Sequence, residues 1–251
     1  MVSMSKMLYA MRVLYLHGLG QSAKNRVAKQ IDSALKGTGV AFDSFSYPSS
    51  ECWRINQWLS SLQDHLQAQP DNDTILVGQS GGGYVALSTA LKLPQKVAGL
   101  FLLSPGIGMD YNYINKVVPR ALDRLRAGEQ VVHPASKSGD ETLIDFESLR
   151  TYREGCPSRM DGTLTIDCPI YAVHAQKDPL ALYKDAEAFL GRLRGGGERR
   201  MTAVPGGSHL LTLDDGAIRE EFSAFCARVG IDIGRSAEDE EQIKRSTHAK
   251  I

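Results

Sequence analysis

The stretch TILVGQSGGGYVAL, Thr74 to Leu87, confines the fold more than any other part of this 251-residue chain. An apolar, strand-like run stops at Gly78, a single serine follows at Ser80, and three consecutive glycines stand where the next segment begins. Glycine in a first helical turn costs up to about 1 kcal/mol relative to alanine, so three together need a reason. A strand that turns sharply into a helix supplies it, because the two elements then approach so closely that only small side chains fit between them. Such a turn forces the residue at its tip into strained backbone geometry with its side chain exposed. The first amides of the helix are free and carry partial positive charge.

The rest of the chain has the same grammar. Apolar runs predict strands at Arg12 to Leu16, Ala41 to Tyr47, Thr74 to Gly78, Val97 to Ser104, Ile170 to His174 and Arg200 to Val204. Between them, NRVAKQIDSALKG, WRINQWLSSLQDHLQ, YVALSTALKL and ALYKDAEAFLGRL place apolar residues at spacings of three and four, the mark of amphipathic helices. AIREEFSAFCARVG adds a last helix. Alternating strands and helices predict an α/β fold, a mostly parallel sheet of about six strands covered on both faces. We expect one domain over 1–230, interrupted by an insertion at about 106–167 that is too long for an ordinary connection and reads as a small helical cap. Within it NKVVPRALDRLR and ETLIDFESLRTYRE are predicted helical, around a loop holding His133 and Pro134. The remainder, 231–251, is charged and poor in large apolar residues and is predicted to be disordered.

Charge narrows the partners. With 29 basic and 29 acidic residues the chain has no net field to attract nucleic acid or an anionic membrane, so a small or neutral molecule is expected. No run reaches the eighteen or so apolar residues of a membrane-spanning helix. Cys52, Cys156, Cys168 and Cys226 form neither a CxxC pair nor a metal-ligand spacing, which fits reduced thiols and no metal. No secretory signal is read at the N-terminus. Cytoplasm is the expected location. The mitochondrion is the alternative, since the first thirty-one residues lack acids and contain Lys6 and Arg12.

Gly78, Ser80 and Gly82, with Gln79 among them, satisfy G-x-S-x-G, the nucleophile elbow. A serine hydroxyl attacks only if a base removes its proton, and the base needs a third group to hold its tautomer. The chain order that accompanies this elbow is Ser, acid, His. Asp178 follows the strand IYAVHA and His209 follows RRMTAVP, so both are predicted at the C-terminal edge of the sheet, where open α/β folds bind ligands. Asp167 precedes its strand, and Asp214 and Asp215 suit the cap of the last helix. His65 lies in a helix, His133 in the insertion and His248 in the tail, while His174 reads as a packed strand-end residue. Two amides are needed for a developing oxyanion. Gly81, after the serine, offers one. Leu19, in the HGLG loop after the first strand, offers the other, with His17 orienting that loop.

LYLHGLG, VGQSGGG, HAQKD and GGSH, in this order over about Arg12 to Val229, resemble the α/β-hydrolase superfamily. The resemblance implies Ser80 as nucleophile, His209 as base, Asp178 as its orienter, and Leu19 and Gly81 as oxyanion donors. DCPIYAVHAQKD, the helical insertion after LFLLSP, and GVAFDSFSYP are most similar to the small palmitoyl-protein thioesterase and acyl-glucuronide esterase branch. Two departures stand out: Ala175 where glycine is common, and a first strand so near residue 1 that the usual two leading strands are not expected, which trims the sheet.

The expected activity is therefore cofactor-independent cleavage of a carboxylic ester or thioester through an acyl-enzyme. The substrate is a small molecule or an acylated protein. Carbon-carbon bond hydrolysis, haloperoxidase chemistry, or ligand binding with slight turnover are the alternatives on the same fold. Tyr111, Tyr113, Ile114, Val117 and Val118 form either an apolar acyl pocket or the face that docks the insertion. The acyl group, leaving group and oligomeric state are left open.

Overall fold

Strand residues in this chain alternate between two buried environments, and that alternation builds the molecule. The computed structural model describes residues 11–71, 73–108, 111, 113–136 and 141–234. In chain order the elements are β1 (Arg12–Leu16), α1 (Arg26–Leu35), β2 (Ala41–Ser44), α2 (Ile55–Gln67), β3 (Thr74–Gln79), α3 (Gly81–Lys92) and β4 (Val97–Leu103). Then come α4 (Tyr113–Val117), α5 (Ala121–Arg126), β5 (Val131–Val132), β6 (Leu143–Ile144), α6 (Phe146–Glu154), β7 (Ile170–Ala175), α7 (Tyr183–Arg192), β8 (Arg199–Val204) and α8 (Gly216–Arg228).

Six strands form one sheet in the order β2-β1-β3-β4-β7-β8, every neighbouring pair parallel. Because side chains point to opposite faces in turn, Val13, Tyr15, Ile75, Val77, Phe101 and Leu103 enter one core with α1 and α8. Leu14, Leu16, Leu76, Leu100 and Leu102 enter the other with α2, α3 and α7. A sheet buried on both faces needs this double apolar supply. Each fully buried Leu or Phe contributes about 1.5–3 kcal/mol. Helix α3 passes through the densest part, with every residue from Gly81 to Ala90 buried.

The strands at the middle of the sheet run close to their predicted bounds. At the edge, β2 stops at Ser44, short of Tyr47, although the Phe45 amide still donates to the Tyr15 carbonyl at 2.9 Å. Larger differences lie between β4 and β7. The single helix expected over NKVVPRALDRLR is two, because Pro119 offers no amide hydrogen and Arg120 takes a left-handed φ of 58°. The start of ETLIDFESLRTYRE is strand rather than helix: Leu143 and Ile144 pair antiparallel with Val132 and Val131. The capping box at Asp145 and Ser148 then starts α6. Of the predicted tail only 231–234 is described, and Ile231 there is buried in the core beside Phe222 and Phe225. The rest of 231–251 lies outside the described residues.

Candidate active site

The close approach at the turn after β3 is severe. A Cβ at Gly82 would stand 2.0 Å from the Leu16 carbonyl oxygen, and one at Gly78 2.6 Å from the Gly82 carbonyl oxygen. Only glycine fits either place. Between them Ser80 has φ 51° and ψ −117°, a conformation that costs of order 1–3 kcal/mol and persists only where its surroundings enforce it. They do so here. The Ser80 amide donates to the Leu103 carbonyl at 3.0 Å, and its carbonyl accepts from Gly83, Tyr84 and Gly106. Serine usually caps a helix with its hydroxyl, but Ser80 makes no such bond.

That hydroxyl lies 2.7 Å from His209 Nε2, and His209 Nδ1 lies 2.7 Å from Asp178 Oδ2. Asp178 is almost fully buried, at 3% exposure, whereas His209 is only partly buried, its side chain 11% exposed. An ionised carboxylate only accepts, so Nδ1 carries the imidazole proton and Nε2 presents its lone pair to the Ser80 hydroxyl. Burial by itself raises the Asp178 pKa. Interactions with His174 and His209 and the Leu180 amide outweigh it, holding the carboxyl well below the usual range.

The strand ends bring these groups together. Ala175 pairs with Val204 at the last register position of β7 and β8, so the turns after both strands leave the sheet side by side. In the first, Asp178 Oδ1 accepts from the amides of Leu180 at 2.8 Å and Ala181 at 3.1 Å. His174 Nε2 donates to the Ala181 carbonyl at 2.8 Å and lies 3.4 Å from Asp178 Oδ2, bracing the same turn. The loop carrying His209 is tied down by Gln79, whose Nε2 donates to the Leu211 carbonyl at 2.9 Å while its Oε1 accepts from the Tyr15 hydroxyl at 2.8 Å. Ala175, in the place where glycine is common, is buried against the α1 and α8 face without strain in φ.

Leu19 and Gly81 meet beside Ser80. The position of a Cβ on Gly81 is 3.7 Å from the Leu19 amide nitrogen, and one on Gly18 would be 3.5 Å from Ser80 Oγ. Neither the Leu19 nor the Gly81 amide has a hydrogen-bond partner among the described residues. His17 Nδ1 lies 2.9 Å from the Gly18 carbonyl oxygen, and its ring packs edge-on against Tyr47 and Trp58.

A cavity of about 300 Å³ opens over these groups. Of the predicted pocket residues, Tyr113 and Val117 line it, and Tyr111, Ile114 and Val118 do not. The reason is helical: Tyr113 and Val117 are four apart on one face of α4, whereas Ile114, which is fully buried, and Val118 lie one residue further round. Tyr111 packs against Phe146 and beneath the Arg153 guanidinium. Sequence reasoning missed Trp53, Tyr152, Leu180 and His133, all of which line the cavity. The Tyr152 hydroxyl donates to the Gly106 carbonyl. A second cavity of about 260 Å³, lined by several serines, shares Gln21 and Trp53 with the first.

Among the described residues, no cluster of three or more His, Cys, Asp or Glu side chains is arranged to hold a metal ion, and no helix is long and apolar enough to cross a membrane. An imidazole with a hydroxyl on one nitrogen and a carboxylate on the other can take the hydroxyl proton and be stabilised once charged.

Comparison with known proteins points to the same kind of molecule. Residues 13–221 match the alpha/beta hydrolase family. Lipase LipV of Mycobacterium tuberculosis is 28% identical over 144 residues, 54% of this chain and 55% of the lipase. The mitochondrial palmitoyl-protein thioesterase ABHD10 of Mus musculus is 21% identical over 225 residues, covering 81% of this chain and 74% of that protein. The match to LipV thus spans little more than half of that relative. Among solved structures, mouse alpha/beta hydrolase domain-containing protein 10 superposes with a TM-score of 0.64 at 18% identity, covering 86% of this chain and 87% of that one. A soluble variant of monoglyceride lipase from Saccharomyces cerevisiae, bound to a substrate analog, gives 0.67 at 16% identity, covering 88% and 87%. At these identities the structural likeness speaks for the fold.

Proposed function

Because this chain belongs to the alpha/beta hydrolase family, we propose that it hydrolyses a carboxylic ester or thioester through an acyl-enzyme formed on Ser80. The observation that carries this reading is the unbroken line of hydrogen bonds from Ser80 Oγ through His209 to Asp178, each 2.7 Å long. Ser80 attacks the substrate carbonyl as His209 Nε2 takes its proton. Asp178 holds the Nδ1 proton and stabilises the imidazolium. The amides of Leu19 and Gly81, without partners among the described residues, receive the oxyanion, each contributing roughly 10²- to 10³-fold in rate. His209 then protonates the leaving group, and water, activated by the same imidazole, releases the acid.

The apolar cavity lined by Tyr113, Val117, Tyr152 and Leu180 suits the acyl group, and the adjoining serine-lined cavity suits a polar leaving group. Carbon-carbon bond hydrolysis and haloperoxidase chemistry use similar side chains. The lipase and thioesterase names of the relatives favour esters and thioesters over both. The mitochondrial names of the mammalian relatives favour that location over the cytoplasm.

The test compares the wild type with Ser80→Ala on p-nitrophenyl esters from acetyl to palmitoyl and on one long-chain acyl thioester. Turnover by the wild type, falling roughly 10⁴-fold or more in the variant, is expected. Equal and negligible rates in both would overturn the reading in favour of a binding protein.

A further inference from the structure

His133 is a second imidazole in the cavity over Ser80, supplied by the segment between β4 and β7. It follows β5 directly, and its backbone is held by its own amide on the Thr142 carbonyl at 2.9 Å and by its carbonyl accepting from Ser136 at 2.9 Å. His133 is 9% exposed, and its ring rests against the loop after β1, where a Cβ on Gly20 would come within 2.5 Å of Nδ1.

The tautomer follows from one bond. His133 Nδ1 lies 3.2 Å from the Ala135 amide, which can only donate, so Nδ1 is the acceptor and the neutral ring carries its proton on Nε2. That Nε2 has no hydrogen-bond partner among the described residues and is not sealed off from solvent, and His133 lines the cavity over Ser80. A donor in a mostly apolar enclosure is costly to leave unmet. Burial first, and the nearby His209 charge second, push the His133 pKa down to about 4, so the ring stays a neutral donor when His209 takes up the serine proton.

We propose that His133 Nε2–H is a specificity-determining donor that binds a second oxygen acceptor, an ether, hydroxyl or carbonyl oxygen carried by the substrate in addition to the scissile carbonyl. The proposal rests on the ester or thioester reading for the kind of substrate, but it concerns recognition rather than turnover. Matched pairs of esters probe it: p-nitrophenyl methoxyacetate against p-nitrophenyl butyrate for the acyl side, and 2-methoxyethyl butyrate against butyl butyrate for the leaving group.

Binding of each ester is measured by calorimetry in the Ser80→Ala background, with and without His133→Phe, and again with His133→Gln, which keeps a donor near Nε2. For at least one pair, His133→Phe is expected to reduce the preference for the acceptor-bearing ester about 3- to 10-fold, and His133→Gln to restore most of it. Unchanged preference in both pairs, equal loss for both members, a loss that His133→Gln does not reverse, or no binding of any ester overturns the proposal. The melting temperature of each variant separates lost recognition from lost folding. If Ser80→Ala binds with this preference while the wild type turns nothing over, the hydrolase reading fails and the recognition stands.

Discussion

Arg54 and Asp145, ninety-one positions apart, form a two-pronged ion pair, with Nη1 to Oδ1 at 2.8 Å and Nη2 to Oδ2 at 2.6 Å. The pair joins the residue before α2 to the N-cap of α6, and so ties the segment that brings Tyr113, His133 and Tyr152 to the cavity wall to the body of the domain. Next to it the Trp53 amide donates to the Leu143 carbonyl at 2.8 Å. Both side chains are mostly buried, which sets this pair apart from exposed ones worth little. Arg54→Met is expected to destabilise the protein by about 2 kcal/mol, a fall in melting temperature of roughly 4–8 °C by differential scanning fluorimetry.

The same pair predicts a pH window. Burial works to raise the Asp145 pKa, but the Arg54 guanidinium and the Ser148 amide and hydroxyl lower it from 3.8 to about 2. A depressed carboxyl contributes stability that is present above its unfolded pKa and lost as pH falls through the folded one. The difference in urea midpoint between wild type and Arg54→Met should therefore be constant at pH 5 and shrink between about pH 4 and pH 2. A gap that stays the same down to pH 2 would assign the stabilisation to packing of the arginine stem.

Asp178→Asn should leave the fold in place and remove nearly all turnover. An asparagine oxygen at the Oδ1 position still accepts from the Leu180 and Ala181 amides. Its amino group then faces His209 Nδ1, forcing the proton onto Nε2, where it can no longer accept from Ser80. A fall of roughly 10³- to 10⁴-fold in kcat, with an unchanged circular dichroism spectrum, is expected. Activity within tenfold of wild type would remove Asp178 from the proposed mechanism.

Gly82→Ala should be more damaging than any of these. The added Cβ meets the Leu16 carbonyl oxygen at 2.0 Å, backbone against backbone in the middle of the sheet. Neither partner can rotate away, so a loss of more than about 4 kcal/mol and largely insoluble expression are expected. A soluble variant with a normal melting temperature would mean that α3 can shift along β3.

Ile231→Ala tests where the folded domain ends. Ile231 is 3% exposed, and its amide donates to the Cys226 carbonyl at 2.8 Å, closing α8. Truncating it should cost about 3 kcal/mol, or roughly 6–12 °C in melting temperature. A change under 2 °C would return the boundary to Gly230.

Local pattern carried a great deal of this molecule. Residues such as Val77 and Leu76 announce a doubly buried strand because side-chain direction alternates with each residue. A parallel sheet then places the ends of β3, β7 and β8 on one edge, so Ser80, Asp178 and His209 could be expected together from chain order alone. The glycines around Ser80 were legible for the same reason, since a steric demand that excludes every side chain leaves a mark in the sequence. Tertiary structure decided what has no period. Two-residue strands such as β5 and β6 are too short to show alternation, and only their pairing fixes them. Whether Tyr113 or Ile114 faces the cavity depends on how a five-residue helix is rotated against its neighbours. His133 reaches the site, and Arg54 finds Asp145, through contacts between residues far apart in the chain. Their energies exist only once the segments have been brought together, so no local spacing of residues encodes them.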